Sequence, residues 1–166
     1  MAEKANKLLQ KYRVREFPVP IEVIEHVIYG EGIDIQITRY LSRAAFCDKV
    51  IYIGQALGSK HRREYLVHEV AHMYHCGNTA LLNPIVVDKN EAQAKAFAAY
   101  FLMPVGVFET HLVKGETDYE IIEAFGVKIE LVQYRKDISK ALFYSNNYKR
   151  LKYNFFLQNT RTRVLI

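Results

Sequence analysis

Leu66-Val67-His68-Glu69-Val70-Ala71-His72-Met73-Tyr74 lies near the middle of a chain of 166 residues. Val67, Val70, Ala71 and Tyr74 fall at helical spacing, so the segment reads as a helix with one apolar side. His68 and His72 are four residues apart, which places both imidazoles on one face, one turn apart, within reach of a single ion. Zinc binds neutral imidazole nitrogen at about 2.0–2.1 Å and prefers four ligands. Glu69 projects about 100° around the helix from His68, beside such an ion rather than on it. A general base belongs there, to take a proton from water that zinc has acidified to a pKa of about 7. The bland alternative is a surface helix with two solvated histidines. Val50-Ile51-Tyr52-Ile53, a strand stopped by Gly54, precedes the motif in the order its mechanism requires and favours the metal reading.

A catalytic site needs a third protein ligand. His75 shares the stripe, but seven residues of helix put it about 10.5 Å along the axis from His68, so it reads as a packed or pocket-edge histidine. The longer HExxHxxGxxH pattern is absent, because position 75 is His and position 78 is Asn. Glu91 is the stronger candidate. It opens a second helix, expected from an Asp88 N-cap to Met103, where Pro104 ends it. Ala92, Ala94, Ala96, Ala98 and Ala99 would let that helix pack close to the first. Spacing alone leaves an alternative open: in Asp88-Lys89-Asn90-Glu91 the acid fits a capping box and would bond back to the Asp88 backbone.

Glu91-Ala92-Gln93-Ala94-Lys95-Ala96-Phe97-Ala98-Ala99-Tyr100-Phe101-Leu102-Met103-Pro104, downstream of HExxH, resembles the ImmA/IrrE family of metallo-endopeptidases of bacteria, phages and mobile elements. That family pairs HExxH with a helix of the form E-x-[EQ]-A-x-x-F-A-A-x-x-L-M-P. Pro18-Val19-Pro20, Gly32-Ile33-Asp34, Val50–Ile53 and Arg62-Arg63 are similar to its upstream parts, and the likeness covers residues 8–142. The resemblance implies a zincin-like fold with zinc held by His68, His72 and Glu91, Glu69 as catalytic residue, and a helix-turn-helix repressor as protein substrate. The family often has a further His four residues past the second zinc histidine; here the nearest is His75, three past His72.

Composition agrees with a folded hydrolase. Half the residues are hydrophobic and a quarter charged, which excludes a disordered chain. Charges interrupt every apolar run near the N-terminus, so no secretory segment is read there. The uncharged run Ala96 to Phe108 is too short to span a bilayer. Cys47 and Cys76 make no disulfide framework, fit a reducing cytoplasm, and read as small buried hydrophobes. From Val127 onward nine Lys or Arg face two acids, a net +7 against +5 for the whole chain. Such a tail suits an acidic partner or simply a solvated face.

The expected architecture is α+β: a small sheet packed against helices, with the HExxH helix central. A first helix includes Leu8, Leu9 and Tyr12, and a second runs Ile21 to Tyr29. Ile33, Ile35 and Ile37 alternate as a half-buried strand. Residues 40–49 are a connection with room for one more short strand. The HExxH helix runs from a Ser59 N-cap to Cys76, with Gly77 beyond and a loop from Asn78 to Val87. Residues 1–115 are read as the metallopeptidase core. Residues 116–166 are read as a helix-turn-helix-like segment and basic aromatic tail packed on the same domain. There Asp118 caps a short helix ending at Gly126, another helix runs Ile129 to Phe143, and Tyr153 to Leu157 form a strand. With Arg135, Lys136 and Lys140 nearby, nucleic-acid binding is a reading to weigh, but packed helices completing the fold are favoured over it. The reaction also needs an oxyanion donor, with Tyr74, His75, Tyr100 and His111 as candidates. The rival reading is a non-catalytic protein- or DNA-binding regulator with a structural or vestigial metal. A zinc hydrolase of non-peptide substrates is a third.

Overall fold

The computed structural model describes residues 1–74 and 83–143. Helices α1 (Ala2–Lys11) and α2 (Ile21–Gly30) precede strands β1 (Asp34–Thr38), β2 (Ala44–Cys47) and β3 (Val50–Gly54). Five helices follow: α3 (Ser59–His72), α4 (Pro84–Leu102), α5 (Val105–Val113), α6 (Asp118–Phe125) and α7 (Ile129–Phe143). This is the expected α+β arrangement. His75, Cys76, Gly77, the first part of the expected loop and the Tyr153–Leu157 strand lie outside the described residues.

The sheet order is β1-β3-β2, with β1 parallel and β2 antiparallel to β3. Directly paired residues share a face, so Ile35, Ile51 and Phe46 form one apolar row across the sheet. Ile51 and Ile53 are fully buried on that face, whereas Ile37, on edge strand β1, is 57% exposed. The β2–β3 connection turns at Asp48 and Lys49, both with positive φ (49° and 63°). Two such residues make the tight hairpin that right-twisted strands favour. Cys47 is exposed, not buried as its residue type suggested, because strand alternation puts Ala45 and Cys47 on the outward face.

Helix α3 is central. It packs on α2 and α4 and against β2 and β3, burying Leu66, Val67, Val70 and Ala71. Gly58 is its N-cap and Ser59 its first residue, one position earlier than expected, and no side-chain cap bond is made. Helix α4 packs on α1, α3 and α7. Ala94 and Ala98, four apart, and Ala99 are buried with Phe97 and Phe101, so small side chains on one face allow a close approach. The helix begins well before Asp88. Asn83 is its N-cap, accepting the Ile85 N–H at 3.0 Å, and Pro84 occupies the first turn, where its missing N–H costs nothing.

Met103-Pro104 ends α4, and Pro104 serves at once as N-cap of α5. The sequence reading had no helix there. Thr117, rather than Asp118, caps α6: its Oγ1 accepts the Glu120 N–H while the Glu120 carboxylate accepts the Thr117 N–H at 2.7 Å. Gly126 ends α6 in the left-handed conformation, φ +60°.

Candidate metal centre

His68 and His72 stand on the last turns of α3 with ring centroids 5.2 Å apart. Glu91 reaches them from the first half of α4. Its Oε2 lies 3.1 Å from His68 Nε2, and its Oε1 lies 3.5 Å from His72 Nε2. Because Asp88 is inside α4 rather than at its start, Glu91 closes no capping box. Its carboxylate is turned to the two imidazoles instead.

Donor separations test whether these groups suit a metal. A tetrahedral ion with bonds of about 2.0–2.1 Å has neighbouring donors about 3.3 Å apart. The 3.1 and 3.5 Å separations, made to the two different oxygens of the Glu91 carboxylate, bracket that edge length, and the shorter is equally a hydrogen bond between His68 and Glu91. Two imidazole nitrogens and a carboxylate are also a donor set that zinc accepts. A second grouping overlaps the first: ligand atoms of His68, Glu69 and His72 all lie within 4.8 Å of one another. Two carboxylates therefore border the same pair of imidazoles.

Their surroundings differ. Glu91 is half exposed at its side chain. Glu69 is buried, 7% exposed, and its proton affinity is raised to a pKa of about 7. Loss of hydration is the main cause and the Glu91 charge the second, while the Phe46 backbone N–H, bonded to the carboxylate, pulls the other way. The Phe46 contact joins β2 to the site and carries no sequence signal, since any residue supplies a backbone N–H.

Other sequence candidates are placed elsewhere. Tyr74 packs on Phe97 with Lys4 over its ring. Tyr100 is buried under the Arg135 guanidinium, 4.6 Å from its ring centre. His111 Nδ1 meets Glu116 at 2.5 Å, and His75 lies outside the described residues. Two of the three basic residues read in the helix-turn-helix-like segment are engaged within the fold, and the third, Lys140, is exposed. Arg135 is fully buried, giving Nε to the Met103 carbonyl at 2.9 Å. Lys136 pairs with Asp118, and Lys140 lies 3.5 Å from Asp137. Among the described residues no single helix is long and apolar enough to cross a membrane.

The family profile described as the IrrE N-terminal-like domain, a peptidase family, matches residues 12–136, which include both helices of the site. No curated protein sequence matches the chain. Among solved structures, a Mycobacterium tuberculosis transcriptional regulator superposes with a TM-score of 0.65 at 17% identity. The superposition covers 81% of this chain and 45% of that one, so the chain spans less than half of the regulator. That likeness is one of fold.

Proposed function

From its membership of the IrrE N-terminal-like domain family, we propose that the chain is a zinc-dependent endopeptidase whose substrate is a helix-turn-helix transcriptional repressor, cut to release silenced genes of a phage or mobile element. The observation that carries the reading is the meeting of His68, His72 and Glu91 at donor separations of 3.1 and 3.5 Å, with the buried Glu69 beside them. In the same reading, residues 1–115 are the catalytic core. Residues 116–166 are the helix-turn-helix-like segment and its tail, with helices that complete the domain favoured over nucleic-acid binding. The engagement of Arg135 and Lys136 within the fold supports that preference. A transcriptional regulator that shares the fold agrees with a role in transcription control.

Neutral His68 and His72, through Nε2, and the Glu91 carboxylate would hold the ion. Zinc supplies a Lewis acid that acidifies water and polarises a peptide carbonyl. Glu69 takes a proton from the attacking water onto its carboxylate and returns it to the departing amine nitrogen as the C–N bond breaks. In the metal-free chain, burial raises the proton affinity of Glu69. The Phe46 N–H holds the carboxylate in place between the two proton transfers.

A closed, structural site is the second reading, favoured by the closeness of Glu69 to both histidines. There Glu69 would be a fourth ligand and no water would remain. Glu69→Gln separates the two. The zinc-loaded chain is incubated with the repressor encoded beside it, and fragments are followed by mass spectrometry. The enzyme reading expects Glu69→Gln to keep its zinc and yield no fragments. Loss of zinc together with an unchanged effect on the repressor would support the structural site instead.

A further inference from the structure

Glu64, four residues before His68, is a buried carboxylate with no part in the proposed chemistry. It faces the start of α7. Its Oε1 accepts the Lys128 backbone N–H at 2.5 Å, and its Oε2 lies 3.2 Å from Lys128 Nζ. The first N–H groups of a helix have no partner within it and carry the positive end of its dipole, so a carboxylate there is favoured. Its neighbours on α3 act alike. Arg63 donates Nη1 to the Gly126 carbonyl at 3.2 Å and Nε to the Val19 carbonyl at 2.8 Å. Lys60 pairs with Glu123 at 2.8 Å. The beginning of α3 thus grips the α6–α7 turn at three points.

Glu64, His68 and His72 form one stripe, each about 6 Å along the axis from the next. One end of the stripe meets the N-terminus of α7 and the other meets Glu91 of α4. Rotation of α3 about its axis decides where the imidazoles point. A turn of about 10° moves an atom about 6 Å from the axis by about 1 Å, more than the roughly 0.5 Å within which site geometry must be held.

We propose that Glu64 is a positioning residue for the metal centre: by bonding the start of α7 it fixes the rotation of α3, and the helix-turn-helix-like segment braces the zinc site. The inference rests on His68, His72 and Glu91 holding zinc.

The test measures zinc affinity, by competition with a chelator, for the wild type, Glu64→Leu, Glu64→Gln and Lys60→Ala, with folding monitored by circular dichroism. Glu64→Leu is expected to lose about tenfold in affinity, within the range for contacts behind metal ligands. Glu64→Gln, which keeps an acceptor for the Lys128 N–H, should lose less. Lys60→Ala, which removes only a surface ion pair, should match the wild type. Should Glu64→Leu fail to fold, Glu64→Gln decides. Folded Glu64 variants that both bind zinc like the wild type overturn this inference alone. A wild-type chain that binds no zinc overturns the metal reading and this inference with it.

Discussion

Glu69 is buried beside Glu91, a carboxylate from another helix: loss of hydration does most to raise the proton affinity of Glu69, and the Glu91 charge adds to it. The folded chain therefore holds the Glu69 proton more tightly than the unfolded chain does. The stability this contributes is fully present below the ordinary value of 4.5 and is lost as pH rises through about 7. Above that, the ionised carboxylate costs up to about 3 kcal/mol at about 1.4 kcal/mol per pKa unit. In chelator, Glu69→Gln should be more stable than the wild type by about 1–3 kcal/mol at pH 8. The gap should close near pH 4.5. Urea melts at both pH values check this; a gap independent of pH would remove burial of the charge as its cause.

Gly126 is held at φ +60°, and an added Cβ would lie 2.6 Å from Arg63 Nη1 and 2.9 Å from Pro18 Cβ. Backbone strain and collision act together, so Gly126→Ala should destabilise by about 2 kcal/mol or more. Gly58→Ala, where a Cβ meets nothing within 4 Å, should cost no more than about 1 kcal/mol, the loss of a favoured N-cap residue. Equal melting of the two variants would show that the α6–α7 turn tolerates movement.

Arg135 is packed between Tyr100 and Phe108 and bonded to Met103 and Ser139, with Glu109 4.0 Å away. Arg135→Ala removes the guanidinium from the Met103 carbonyl and the buried Glu109, and should cost about 3–5 kcal/mol. Lys140→Ala, at an exposed pair, should change stability by less than about 0.5 kcal/mol. Denaturant midpoints of both variants measure the contrast. A mild effect of Arg135→Ala would mean that Arg135 does not hold the break between α4 and α5.

The HExxH helix was legible because two signals coincided, the i, i+4 histidines and an apolar face at Leu66, Val67, Val70 and Ala71. The fold class followed from Ile33–Ile37 and Val50–Ile53 ahead of it. Asn83-Pro84 is a strong helix start, yet it sits beside a stretch without periodicity. The start is therefore read at Asp88, and spacing alone leaves Glu91 open between metal ligand and capping acid; the ligand role comes from the family resemblance. Only the packing of α4 on α3 shows where that carboxylate turns. The helix Val105–Val113 escaped notice because Pro104 reads as a stop, although the same proline can end one helix and cap the next. The β2–β3 hairpin lacks an Asn-Gly or Asp-Gly signal; Asp48-Lys49 takes the turn conformation under the constraint of the sheet.

We propose that His68, His72 and Glu91 hold one ion and that Glu69 stands outside its ligands. Zinc titration of the metal-free chain against a chelating indicator, repeated for His72→Ala, Glu91→Ala and Glu69→Gln, tests it most directly. One zinc per chain is expected, with affinity lowered at least about tenfold by each ligand substitution and near-native affinity for Glu69→Gln. Native affinity in Glu91→Ala with loss in Glu69→Gln would contradict it.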